Sequence, residues 1–150
     1  GPAALAKAWR FTEDPRDGKR DERLKMLNDE DGGMWDCTRC MKCVDVCPKG
    51  VAPMDRIMEL REAAIKAGNT NTPGYHHTES FYNSVKKNGR LDETRLAIDS
   101  AGWTNLPRLL DLAPIGIAAM RKGKLPPLMP HKSEDNQKVK DLYKSVEDES

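Results

Sequence analysis

The chain has 150 residues, of which 37% are apolar, 5% aromatic and 33% charged, so any core is modest and much of the chain is surface or interface with something else. One domain is the starting expectation, because a core of this size buries roughly 68 to 70% of the unfolded surface. The 25 basic and 24 acidic residues are mixed along the chain and sum to +1, which leaves no electrostatic footprint for nucleic acid as a partner. The longest apolar stretches, Leu109 to Ala113 and Ile115 to Met120, are interrupted by Pro114 and fall short of the ~20 residues that cross a bilayer. No secretory leader pattern is visible, and the expected setting is cytosolic or internal to an organelle.

Ala3 to Thr12 carries good helix formers, with Leu5, Ala8, Trp9 and Phe11 partly at helical spacing, and Asp14 to Gly18 reads as a turn. A second helix is expected over Arg20 to Leu27. Asn28 to Gly33 then forms an acidic, glycine-bearing loop that leads through Met34, Trp35 and Asp36 into four cysteines. Pro48 to Pro53 is an irregular link. The clearest helix follows, with Pro53 in its first turn, Ile57, Leu60 and Ala64 on one face and Gly68 as its stop.

Asn69 to Gly74 is polar and rich in helix breakers. It is the candidate boundary between a motif-bearing half, residues 1–68, and a helical extension, residues 69–150. In the extension, Thr78 is a candidate cap for a helix bearing Phe81 and Val85 before Gly89, and Asp92 for another running through Leu96 to Gly102. Thr104 is expected to start a helix carrying Leu106, Leu109, Leu110 and, past Pro114, Ile115 to Met120, whose apolar stripe reads as core ahead of a membrane-surface or partner-binding face. Lys122 to Lys132 holds three prolines and reads as extended. Ser133 then caps a last helix with Val139, Leu142 and Val146 on one stripe. No strand pattern of useful length occurs, and the expected class is all-α.

All four cysteines fall between residues 37 and 47, whereas a disulfide framework spreads its cysteines to staple distant loops. Cys37, Cys40, Cys43, Cys47 and Pro48 form the run C-x2-C-x2-C-x3-C-P, the bacterial-ferredoxin spacing for a cubane iron–sulfur cluster. Three thiolates so spaced wrap one cluster, and the fourth, after a longer gap and before proline, ligates the other cluster of a two-cluster protein. A single motif cannot complete both clusters, so a partner chain or a further N-terminal portion is expected to bring the complementary cysteines. A structural zinc site is the alternative, although such sites usually space two cysteine pairs far apart. A redox-active dithiol at Cys37 and Cys40 lacks the strand context of a thioredoxin-type fold and ranks last.

Gly1-Pro2-Ala3-Ala4-Leu5, Ala8, Arg10-Phe11, Asp14, Arg16-Asp17 and Glu22-Arg23-Leu24, followed by the cysteine run and by Lys49-Gly50-Val51 and Pro53, resemble the iron–sulfur subunit of succinate dehydrogenase and fumarate reductase over about the first 65 residues. The resemblance implies the second half of a helical ferredoxin domain, as if the sequence started in the middle of that subunit. It further implies that Cys37 and Cys43 ligate a quinone-proximal cluster and Cys47 the neighbouring four-iron cluster. Cys40 stands where three-iron members usually carry an apolar residue, which implies [4Fe-4S], with [3Fe-4S] the alternative at the Cys37/Cys43 site. Thr38 replaces the histidine that quinone-reducing members often place there. The tail, with Gly102, Leu109-Leu110, Arg121 to Pro126 and Pro130 to Lys132, resembles more weakly the small iron–sulfur subunit of heterodisulfide reductase and the fumarate reductases that share its helical ferredoxin domain. The partners implied are a flavoprotein subunit and a membrane anchor or quinone, with the chain peripheral to the membrane through its complex. A heterodisulfide-reductase-like carrier and a zinc-binding assembly module are the alternatives.

Other residues have plainer readings. Trp35 is expected to pack, His76, His77 and His131 to face solvent, and Met41, Val44, Val46 and Val51 to exclude water from the cluster. Arg39, Lys42 and Lys49 either offset the negative charge of a thiolate-ligated cluster or form a solvated basic surface. Paired carboxylates, a nucleophile with its base and a phosphate-cradling glycine loop are all missing from the cysteine region. The chain is therefore expected to carry electrons as a non-catalytic subunit.

Overall fold

The structure is a computed structural model describing residues 1–29, 31–103, 105–127 and 132–148. The chain is all-α, and among the described residues there is no strand. It divides into two compact units, residues 1–72 and 73–150.

The first unit is built from α1 (Pro2–Thr12), α2 (Arg20–Asp29), a 3-10 turn (Met34–Asp36), the single-turn α3 (Lys42–Asp45) and α4 (Pro53–Lys66). Pro2 and Pro53 each sit in a first turn, where the missing amide proton costs nothing. Helix α4 ends as its sequence foretells: Gly68 takes the left-handed conformation (φ 81°), and the amides of Gly68 and Asn69 close on the carbonyls of Ile65 and Ala64. Ile57, Leu60 and Ala64 of α4 meet Leu5 of α1, Leu24 and Leu27 of α2 and Met34 in one core. Leu24, Met34 and Leu60 are fully sequestered, each stabilising the unit by about 1.5–3 kcal/mol relative to exposure. Trp9 lies under the Arg56 guanidinium, 4.5 Å from the ring centroid.

The second unit contains α5 (Pro73–Asn88), α6 (Glu93–Ala101), α7 (Leu106–Arg121) and α8 (Asn136–Asp148). Asp92 caps α6 by accepting from the Arg95 amide at 3.0 Å. Helix α5 starts five residues before the expected cap: Pro73 opens it, and Thr78 sits inside, its hydroxyl donating back to the Gly74 carbonyl at 3.0 Å. The mechanism is local, since a hydroxyl that bonds the preceding turn no longer competes with helix continuation. Thr104 lies outside the described residues, and the neighbouring Asn105 caps α7, which runs unbroken through Pro114. Ser133 starts the turn ahead of α8, with its hydroxyl accepting from the Asp135 amide. The expected core role of α7 is not met within this unit: among its described residues none is buried, and Leu106, Leu110, Ile115 and Met120 are exposed. No described helix is long and apolar enough to cross a membrane.

Candidate cluster site

The path into the cysteine run is tied down before the first thiol. Trp35 donates its indole N–H to Asn28 Oδ1 at 2.7 Å, and Asp36 accepts from the Gly32 amide at 2.6 Å. Trp35 packs against the core, as expected. From α4, Arg61 reaches back under the turn. Its Nε donates to the Met34 carbonyl at 2.9 Å, and its Nη2 donates to the carbonyls of Trp35 (3.1 Å) and Cys37 (2.7 Å). The guanidinium lies 4.8 Å from the Trp35 ring centroid. Arg61 is 6% exposed, and burial pulls its pKa below the usual arginine value while the nearby Cys37 opposes that shift.

Beyond Cys37 the backbone takes conformations that side chains usually avoid. Arg39 (φ 56°) and Met41 (φ 63°), the residues either side of Cys40, are both left-handed, and such residues cost about 1–3 kcal/mol each unless their surroundings over-determine them. Met41 then starts α3, its carbonyl accepting from the Val44 amide at 2.8 Å. The outcome is that Cys37, Cys40 and Cys43 line one cavity of about 510 Å³, walled by Leu5, Val46 and Ile57 with Lys42 beside them.

Cys47 is outside that lining. Its sulfur accepts from the Val51 amide at 3.4 Å. That amide and the one of Lys49 lower its pKa, burial raises it, and the amides of Ala52 and Gly50 add to the lowering, for a net shift below the ordinary thiol value. The turn that aims these amides uses two more left-handed residues, Gly50 (φ 61°) and Ala52 (φ 49°). Sulfur acceptors at such amide clusters suit an anionic ligand state.

Met41, Val46 and Val51 are exposed, and of the four apolar residues expected to keep water from a cluster Val46 is the one that borders the cavity. His76 and His77 lie on α5, not in a linker, and His77 Nδ1 is 3.0 Å from Ser100 Oγ. His131 lies outside the described residues. Arg61 was missed from the sequence, although a signal existed: it shares the stripe of Ile57, Leu60 and Ala64, and a charge inside an apolar stripe needs a buried partner. Among the described residues no three His, Cys, Asp or Glu side chains gather closely enough for a single metal ion.

The donor chemistry fits an iron–sulfur cofactor, with three thiols around one largely apolar cavity and a fourth acidified by its own amides. Residues 2–51 match the family model of the 4Fe-4S dicluster domain, and iron–sulfur clusters are the cofactors this supports, whereas zinc finds no support. The homologues are iron–sulfur subunits of fumarate reductase and succinate dehydrogenase. The chain is 32% identical over 128 residues to the 8-methylmenaquinol:fumarate reductase iron-sulfur subunit of Wolinella succinogenes, covering 85% of this chain and 38% of the relative. It is 44% identical over 59 residues to the fumarate reductase iron-sulfur subunit of Escherichia coli O157:H7, covering 39% of this chain and 24% of that one. Against the mitochondrial succinate dehydrogenase [ubiquinone] iron-sulfur subunit 3 of Arabidopsis thaliana, identity is 36% over 61 residues, 41% of this chain and 20% of the relative. The chain thus spans well under half the length of each of these relatives. The first of these alignments is longer than the 72 residues of the first unit, so it extends into the second. The heterodisulfide-reductase-like tail is not confirmed, and no solved structure matches the chain significantly.

Proposed function

We propose that the chain relays single electrons as part of the iron–sulfur subunit of a succinate dehydrogenase or fumarate reductase type complex, between a flavoprotein subunit and a quinone or membrane anchor. Residues 1–68 are the cluster-binding half and 69–150 a helical extension, and the chain lies peripheral to the membrane through its complex. The observation that carries the reading is the division of the thiols: Cys37, Cys40 and Cys43 border one cavity and Cys47 stands in a separate amide turn. In a dicluster arrangement the first three ligate one cluster and Cys47 the next, whose remaining ligands come from a complementary motif.

A bound iron–sulfur cluster supplies reversible one-electron chemistry. This chain's residues do the rest. Leu5 and Ile57 limit water around the thiols, and Lys42 offsets part of their negative charge. The amides of Val51 and Lys49 favour the thiolate of Cys47.

Anaerobic iron, sulfide and zinc analysis with low-temperature electron paramagnetic resonance tests the reading, on the full chain alone and with co-purifying partners. Clusters that form only with a partner support a domain whose ligands are shared. A complete four-iron cluster on the isolated chain overturns the shared ligation. In the assembled complex, Cys40→Ser should leave a three-iron cluster and Cys47→Ser should harm only the neighbouring one. An effect of Cys47→Ser confined to the Cys37 cluster refutes the division.

A further inference from the structure

Among the described residues of the first unit Arg61 is the most deeply buried charged side chain, and its bonds are unusual in kind. A buried arginine normally meets a carboxylate, because desolvating a lone charge is expensive. Among the described residues, the hydrogen bonds of Arg61 go instead to three backbone carbonyls, those of Met34 and Trp35, just before the first thiol, and of Cys37 itself. Trp35 covers the guanidinium face, and Trp35 is itself held through its indole by Asn28. Three polar carbonyls in an otherwise apolar neighbourhood are satisfied by one planar fork. Lysine, a compact ammonium on a flexible stem, does not reproduce that geometry.

We propose that Arg61 is a positioning residue for Cys37: its fork fixes the backbone from Met34 to Cys37 and so the direction of the first thiol, and its buried positive charge raises the reduction potential of the cluster held there. The potential half rests on the proposed ligation; the positional half does not. A cation kept out of water beside a thiolate stabilises the more negatively charged, reduced state of the site, because low local dielectric weakens screening. Lys42 borders the same cavity but is exposed, so solvent and salt screen its charge more strongly.

The test uses the full chain with Arg61→Met and Arg61→Lys. Without iron, hydrogen–deuterium exchange at residues 34–37 should speed up by about tenfold in Arg61→Met, with the amides of α1 unchanged and Arg61→Lys in between. Unchanged exchange at 34–37, or equal loosening of the whole first unit with Arg61→Lys like the parent, overturns the positional assignment. In the cluster-loaded protein with its partners, Arg61→Met should lower the midpoint potential of the Cys37 cluster, and Arg61→Lys should restore most of the loss. Equal potentials in parent and Arg61→Met overturn the electrostatic half. The exchange readout needs no cluster, so failure of the ligation itself is distinguishable from failure of the Arg61 assignment.

Discussion

The two units solve the same problem in opposite ways. Residues 1–72 bury Leu24, Met34, Ile57 and Leu60 in one core, and the cavity of the three thiols borders its Leu5 and Ile57. In residues 73–150 the buried side chains described are Ser80, Ser84 and Asn88, while Trp103, Leu106, Leu110, Ile115, Met120, Leu142 and Val146 stay exposed. The second unit is held by caps and polar contacts: Asp99 accepts from Ser80 and Trp103, each at 2.7 Å, and Tyr82 meets Tyr143 edge-on at 5.0 Å. A core tolerates a polar site beside it, whereas helices joined by polar contacts keep their apolar faces available.

The largest effect that sharpens this contrast is Leu60→Ala. Leu60 is fully buried, and its truncation should destabilise the first unit by about 2–5 kcal/mol, read by urea unfolding followed at Trp9 and Trp35. A loss below about 1 kcal/mol would remove the claim that this unit is core-driven.

Gly89→Ala is the corresponding probe in the second unit. At φ +67°, an added Cβ meets Ser133 Cβ at 3.0 Å and the Asn136 backbone at 3.1 Å, where α8 begins beside α5. A cost of about 1–3 kcal/mol is expected. Gly68→Ala, also left-handed but with open space around it, should cost less, since only backbone strain is added.

Asp99 gives a smaller, pH-dependent effect. Burial pushes its carboxyl up, but hydrogen bonds from Ser80, Trp103 and Arg95 outweigh it and hold the pKa below 3.8. A carboxylate depressed in the folded state stabilises above its unfolded pKa, and that contribution fades as pH falls through the lower folded value. Asp99→Asn should therefore cost about 1–2 kcal/mol at neutral pH and progressively less in acid. Chemical unfolding at a series of pH values checks this, and a cost that does not shrink in acid counts against it.

Leu110→Ser should do least, within about 0.5 kcal/mol, because its side chain already faces water in this unit. A larger loss of thermal stability would mean that the α7 face is covered.

The cysteine motif, the capping of α6 by Asp92, the stop of α4 at Gly68 and the stripe of Ile57, Leu60 and Ala64 were all legible because each depends on residues a few positions apart. The start of α5 was misread because Thr78 has two uses, cap or back-bonded interior residue, and the choice depends on whether the preceding turn is already helical. The burial of α7 was misread for a different reason, since an apolar stripe records what a helix can bury and not whether anything covers it.

By itself the sequence determined the helical class, the cluster-type cysteine spacing and the resemblance to iron–sulfur subunits, because these are local or compositional properties. Tertiary structure decided which thiols share a cavity, how the amides after Cys47 lower its pKa and where Arg61 delivers its charge. The last of these depends on residues 24 to 27 positions apart, Arg61 and the carbonyls of Cys37 and Met34, brought together only when α4 packs against the core.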